Sequence, residues 1–229
     1  MKSKKVCAIG LACLVALSAT GCSTEQKSDN ETKATSSFET KDMKLDTNVM
    51  AVGEEEVTLN EMLFYVYQLK GTYDGSLTSD VWKFQWNDEQ SIEGYAKDEM
   101  VKEIAQIKVI CQQAEKQNCQ LTEEEANEAS VEAASYVDGL TDSAKDYHLT
   151  KELVEKVYKE HALAKKMYDV VAGTVDTNIE DSEKMTDKEK EAVIKKREQQ
   201  AFKKSYAKWK KEYEIVVSTP LMDQISFDK

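Results

Sequence analysis

The sequence predicts a mainly α-helical domain, and three observations carry that reading. Glycine is scarce, and proline occurs once, at Pro220, in 229 residues. Leu, Ala, Lys, Glu and Gln dominate, as in helical proteins. Apolar residues recur at spacings of three and four over long stretches, the period of an amphipathic helix. A short hairpin at the start and a strand near the end complete the expected domain.

The N-terminus is set aside first. "MKSKK" is basic, and "VCAIGLACLVALSA" is an apolar run too short for a membrane span, so residues 1–21 read as a secretory signal. Cys22 follows Ala19, Thr20 and Gly21 in the manner of a bacterial lipobox, with Ala19 standing where Leu is commoner. Acylation of Cys22 is therefore expected, with the chain anchored to the membrane on the extracytoplasmic face of the bacterial cell. Two or more acyl chains anchor stably, since each buried methylene adds about 0.8 kcal/mol. Residues 22–47 are rich in Ser, Thr, Lys, Asp and Glu and read as a disordered tether. The folded domain is expected over 48–229, long enough for a real core.

Net charge is −12, and loss of Lys2, Lys4 and Lys5 with the signal makes the remainder more acidic still. Such a surface repels nucleic acid and anionic lipid and favours solubility, and nucleic acid is excluded as a partner.

Along the domain, "NVMAVGEEEVT" reads as a hairpin turning at Gly53. Thr58 and Glu61 offer a capping box for the helix after it, which Gly71 is expected to stop. Residues 71–94 are irregular and hold two of the three tryptophans. A helix from Tyr95 to Lys116 carries Met100, Ile104, Ile107, Cys111 and Ala114 on one face, with Asn118 suited to a left-handed cap. Thr122 and Glu125 cap a helix to about Val137, whose Ala126, Ala129 and Ala133 suggest close packing. A helix from Lys151 to Val171 follows, then an acidic connector over 171–186. Thr186 and Glu189 cap the last long helix, where Phe202, Tyr206, Trp209 and Tyr213 step by four, three and four. "EIVVS" is a strand, Pro220 forces a turn, and "LMDQISF" is a final apolar segment.

The sequence offers little to catalyse with. His148 and His161 have no partner at ligand spacing, and no nucleophile elbow, phosphate loop or zinc motif occurs. No catalytic residue, metal or cofactor is expected. His161 lies on an apolar stripe and reads as a core histidine. Cys111 and Cys119, if on one helix, lie about 12 Å apart along its axis, too far for a disulfide. "KKSYAKWKKEY" interleaves lysines with aromatics, a pattern that suggests nucleic-acid or membrane binding. The spacing, however, puts aromatics on one face and lysines on the other, and with the acidic net charge it reads as a core stripe with a solvated back. "VWKFQW" is less settled. An extended chain would place Trp82, Phe84 and Trp86 on one side. That side either packs on the domain's own core or forms an exposed aromatic surface for unfolded segments, with Tyr73 nearby.

The order of elements resembles the SurA/PrsA/trigger-factor group of extracytoplasmic chaperones. "VMAVGEEEVTLNEMLFYV" is similar to the hairpin and first chaperone helix of that group. "MVKEIAQIKVICQQAEKQNCQLTEEEANE" resembles its next signature, although Asn118 stands where Gly is usual and Cys119 where Ile or Val is. "DYHLTKELVEKVYKEHALAKKMYDVV" and "FKKSYAKWKKEYEIVVS" are similar to the later helix and the returning helix and strand. The resemblance implies a helical chaperone domain whose N-terminal hairpin pairs with a C-terminal strand. Many members carry a parvulin-type prolyl isomerase between the last two helices. Here only 171–186 fills that place, so the resemblance implies the insert is absent.

The expectation is a chaperone-like lipoprotein, not an enzyme, that binds unfolded or newly secreted polypeptides without ATP. The client contacts would be Tyr73, Trp82, Phe84 and Trp86, and a homodimer is compatible with the sequence. Two alternatives stay open: a lipoprotein dedicated to one envelope partner, and a prolyl isomerase with an unrecognised site.

Overall fold

The computed structural model describes residues 44–73, 79–180 and 182–227. Cys22, the expected signal over 1–21 and the expected tether as far as residue 43 lie outside the described residues. The described chain is mainly helical, with one small sheet.

The hairpin forms as expected. β1 (Asn48–Val52) and β2 (Glu55–Thr58) pair antiparallel around Gly53. Gly53 has φ of +58°, and a Cβ there would come 2.6 Å from the Tyr213 ring. Both facts require glycine. β3 (Ile215–Val217) pairs with the other edge of β1, Met50 opposite Val217 and Val52 opposite Ile215, giving the order β2-β1-β3. The two ends of the domain thus meet in one sheet.

Five long helices separate the hairpin from β3: α1 (Leu59–Tyr73), α2 (Ile92–Lys116), α3 (Glu123–Asp138), α4 (Lys151–Ala172) and α5 (Asp187–Trp209). Their ends follow the local chemistry of the sequence. Thr122 with Glu125 and Thr186 with Glu189 form complete capping boxes. Thr150 caps α4, accepting from the Leu153 amide at 3.2 Å. Asn118 adopts φ of 53°, and the Cys119 amide donates back to the Ala114 carbonyl at 2.8 Å, closing α2 in a Schellman-type turn.

Four boundaries differ from the sequence reading. α5 ends at Trp209 and not near Tyr213; Lys210–Glu212 is a 3₁₀ turn and Tyr213 beyond it is extended. Gly71 does not stop α1, which runs to Tyr73; the glycine faces open space and only weakens the last turn. α2 starts at Ile92, three residues before Tyr95, because the Ser91 hydroxyl accepts from the Gly94 amide at 3.1 Å. Pro220 does not force a simple turn. It lies in the first turn of a short helix, α6 (Thr219–Met222), where its missing N–H costs nothing.

The main core gathers Val49, Met50 and Val52 of β1, Met62, Phe64 and Val66 of α1, Met100 and Ile104 of α2, and Leu221, Ile225 and Phe227 of the tail. Lys70 Nζ donates to the Phe227 carbonyl at 2.6 Å and ties that tail to α1. A second cluster joins Ile107, Ile110 and Ala114 of α2 to Ala164 and Met167 of α4 and Phe202 of α5. Ala129 and Ala133 are the buried residues of α3, and their small size lets it lie close on α4.

The alternating reading of "VWKFQW" is corrected. Ser79–Lys83 is a 3₁₀ turn, not a strand, so alternation does not set the direction of these side chains. Trp82 is 2% exposed and packs on Phe227, ring centroids 4.7 Å apart and planes tilted by 38°, whereas Phe84 is 63% and Trp86 56% exposed. Trp82 is core and is removed from the exposed set. Trp82→Ala is expected to cost about 3–5 kcal/mol in urea unfolding, while Phe84→Ala stays within about 0.5 kcal/mol.

Candidate functional site

Two features stand out beyond ordinary packing: an exposed aromatic loop and a buried cluster of charges.

The loop joins the 3₁₀ turn to α2. The Ile92 amide donates to the Phe84 carbonyl at 2.8 Å, and the Trp86 amide donates to the Gln90 carbonyl at 2.9 Å. Asn87 Oδ1 accepts from the amides of Glu89 and Gln90 at 2.8 and 3.0 Å, a side chain imitating a backbone turn. Gln90 Nε2 reaches Asp98 Oδ2 at 3.0 Å and fastens the loop to α2. On this frame Trp86 stacks on Tyr95 at 4.9 Å, with the rings 23° from parallel. Phe84, Trp86 and Tyr95 therefore stand exposed on a fixed backbone. Of the four contact residues read from the sequence, Phe84 and Trp86 are exposed on this loop, whereas Trp82 is buried against Phe227. Tyr73 is the last residue of α1. Tyr95 was read only as a helix start; its place one turn inside α2 brings it under Trp86.

The charge cluster spans three helices. Lys108 of α2 and Glu61 of α1 are each 1% exposed, and Lys108 Nζ lies 2.7 Å from Glu61 Oε1. The same nitrogen donates to both carboxylate oxygens of Glu160 on α4, at 2.7 and 2.8 Å. Lys156 Nζ, nearer solvent, donates to Glu61 Oε2 at 2.8 Å. Two carboxylates thus face two ammonium groups. Burial opposes the charge on Lys108, but Glu160 and Glu61 outweigh it and hold its pKa above the ordinary lysine value.

This cluster explains why the third Thr–Glu pair is not a full capping box. Thr58 Oγ1 accepts from the Glu61 amide at 3.4 Å, but the Glu61 carboxylate turns inward to Lys108. The sequence held a signal for it: Lys108 falls on the stripe that runs from Ile104 to Cys111.

His161 and Tyr65 lie against the cluster and share a hydrogen bond of 3.3 Å. Burial, reinforced by the Lys108 charge, lowers His161 to about 4 from 6.5. It is neutral near pH 7 and acts as a packed polar side chain. Cys111 donates to the Glu160 carbonyl at 3.6 Å, and burial pushes its thiol up to about 12. A thiol so protonated is a poor nucleophile. Cys111 and Cys119 are both free, and Cys119 lies beyond the end of α2. His148 is exposed, with φ of 51°, at the end of a 3₁₀ turn.

The connector is short and folded back. Arg197 Nη1 of α5 donates to the carbonyls of Asp176 and Asn178 at 2.8 and 2.7 Å, drawing the segment against the helix. Among the described residues no group of three His, Cys, Asp or Glu side chains is placed to hold a metal. No helix among them is long and apolar enough to cross a membrane. Two clefts among the described residues, of about 570 and 550 Å³, are open to solvent.

The chain matches no family model, and neither a curated protein nor a solved structure is significantly similar to it.

The cluster gives two expected outcomes. Lys108→Met leaves two carboxylates facing each other in the core and should cost about 3–5 kcal/mol in denaturant unfolding. His161 is buried neutral, so its share of stability, present above pH 6.5, is lost as pH falls toward 4. Glu103, pushed up to about 7 by burial, acts in the opposite sense, favouring the fold as pH falls through that value. The parent profile is therefore flattened, and the variant is the sharper probe. The stability advantage of the parent over His161→Gln should shrink by about 3 kcal/mol between pH 7 and pH 4, read from denaturant midpoints at each pH.

Proposed function

We propose that the protein is a membrane-anchored, extracytoplasmic, chaperone-like protein that holds unfolded or newly secreted polypeptides without ATP or a chemical step. The observation that carries this reading is the exposed surface of Phe84, Trp86 and Tyr95 on a hydrogen-bonded loop. Aromatic side chains offer large apolar area at little conformational cost, and an unfolded segment supplies complementary apolar side chains. The acidic remainder of the surface keeps such a complex soluble.

The ordered resemblance to the SurA/PrsA/trigger-factor group supports the same reading. So does the joining of hairpin and C-terminal strand in one sheet. Acylation of Cys22 would hold the domain near polypeptides emerging across the membrane, raising their effective concentration. α4 passes to α5 through a short connector that includes the 3₁₀ turn Ser182–Lys184, so the proposal carries no isomerase activity.

Aggregation of a reduced, unfolded client should be suppressed by the protein at several-fold excess. Phe84→Ala with Trp86→Ala should weaken that effect about tenfold or more, since two exposed aromatic anchors are removed, with an unchanged melting midpoint. Loss of holding only in step with loss of folding would contradict the reading, as would capture of one stoichiometric partner and no general clients. A proline-peptide isomerisation assay should give the uncatalysed rate.

A further inference from the structure

From Lys196 onward the outer face of α5 is basic, in contrast to its acidic first turn at Asp187 and Glu189. Between Lys195 and Lys211 the only acidic residue is Glu198. Lys196, Lys203, Lys204, Lys208 and Lys211 recur at spacings that place them on one side of the helix and its final turn, and all five are exposed. Phe202, Tyr206 and Trp209 occupy the other side and pack into the core. Among the described residues no carboxylate lies within ion-pair distance of these five lysines. Such a strip is anomalous in a chain of net charge −12. α3, by contrast, carries acids and no base.

We propose that this face docks on the anionic headgroups of a lipid bilayer and orients the anchored domain on the membrane. The inference rests on the membrane localisation proposed above. Three features favour a lipid surface. The strip from Lys196 to Lys211 runs roughly 22 Å along α5 and its final turn, long enough to meet several headgroups of an anionic surface at once. The aromatics of α5 face the core, so the strip offers no stacking platform for nucleic-acid bases. The chain from Cys22 to Lys44 can span up to about 75 Å when extended, so the anchor leaves this face free to reach the bilayer. Weak contacts then suffice, because the anchor supplies effective concentration.

The orientation has a consequence for the aromatic loop. α5 packs through Phe202 against Ile107, Ile110 and Ala114, in the second half of α2. The loop lies at the first residue of α2, roughly 25–30 Å away along the axis. Docking through α5 therefore sets Phe84 and Trp86 at the far end of α2 from the docked helix.

The test uses the full chain carrying Cys22→Ala, so that no lipid is attached, and co-sedimentation with two kinds of vesicle. One is pure phosphatidylcholine; the other contains about one third phosphatidylglycerol. The parent should prefer the anionic vesicles, and the preference should vanish at high salt. Replacing Lys196, Lys203, Lys204 and Lys208 by Gln should lower binding to anionic vesicles at least about tenfold, each lysine contributing up to about fivefold. Lys203→Glu with Lys204→Glu, a second variant, should act in the same direction. Glu124→Gln with Glu128→Gln on α3 should not lower binding. Melting midpoints of all variants should match the parent, since the replaced side chains are exposed. Equal binding by parent and lysine variants would overturn the proposal. Tighter binding to a nucleic-acid oligonucleotide than to anionic vesicles, lost in the same variants, would overturn it too. Client holding is measured without vesicles, so either reading can fail while the other stands.

Discussion

β1 lies between β2 and β3, and the path of the whole chain follows from that position. Its register with β2 turns the chain at Gly53 and delivers it into α1. Its register with β3 brings the end of α5 back to the start of the domain. The backbone groups on both edges of β1 are thereby paired, and Val49, Met50 and Val52 are fully buried. Gln112 of α2 donates to the Val52 carbonyl at 2.8 Å and fixes the hairpin on the helical layer. The tail beyond β3 then has one place to go, against α1 and Trp82, where Phe227 closes the core. A sheet this small gains little by itself; its weight lies in bringing distant segments together so that their apolar faces share one core.

The parts of the fold that were legible in the sequence are those set by local rules. Thr122–Glu125 and Thr186–Glu189 specify helix starts through their own side chains, and Asn118 specifies a helix end through its tolerance of positive φ. The spacing of Phe202, Tyr206 and Trp209 fixed which side of α5 faces inward. Local rules failed where a distant partner decided the outcome. Glu61 sits at a capping position, yet its carboxylate is drawn away by Lys108 and Lys156. Trp82 and Phe84 are two residues apart and chemically alike, but the tail residue Phe227 covers one and nothing described covers the other. Alternation could not separate them, because it assumed an extended chain where the backbone makes a 3₁₀ turn.

The two polar features serve different ends. The Glu61–Lys108–Glu160 cluster joins α1, α2 and α4 at one ammonium, and charge groups buried this deeply penalise any arrangement that leaves one of them unpaired. Within it Lys108 stays protonated, and the adjoining His161 is neutral near pH 7. The aromatic loop has the opposite character: apolar, exposed, and fixed by hydrogen bonds that leave its rings in place. The charge cluster thus serves the packing of three helices, and the aromatic loop is the surface on which the proposed holding of unfolded polypeptide rests.

The central claim is that Phe84, Trp86 and Tyr95 form the binding surface for unfolded polypeptide. Hydrogen exchange on the full chain, with and without a permanently unfolded client, tests it most directly. Added client should slow exchange in peptides covering 84–95 and leave the α3 and α5 peptides unchanged. Slowed exchange confined to other segments, or none at saturating client, would contradict it.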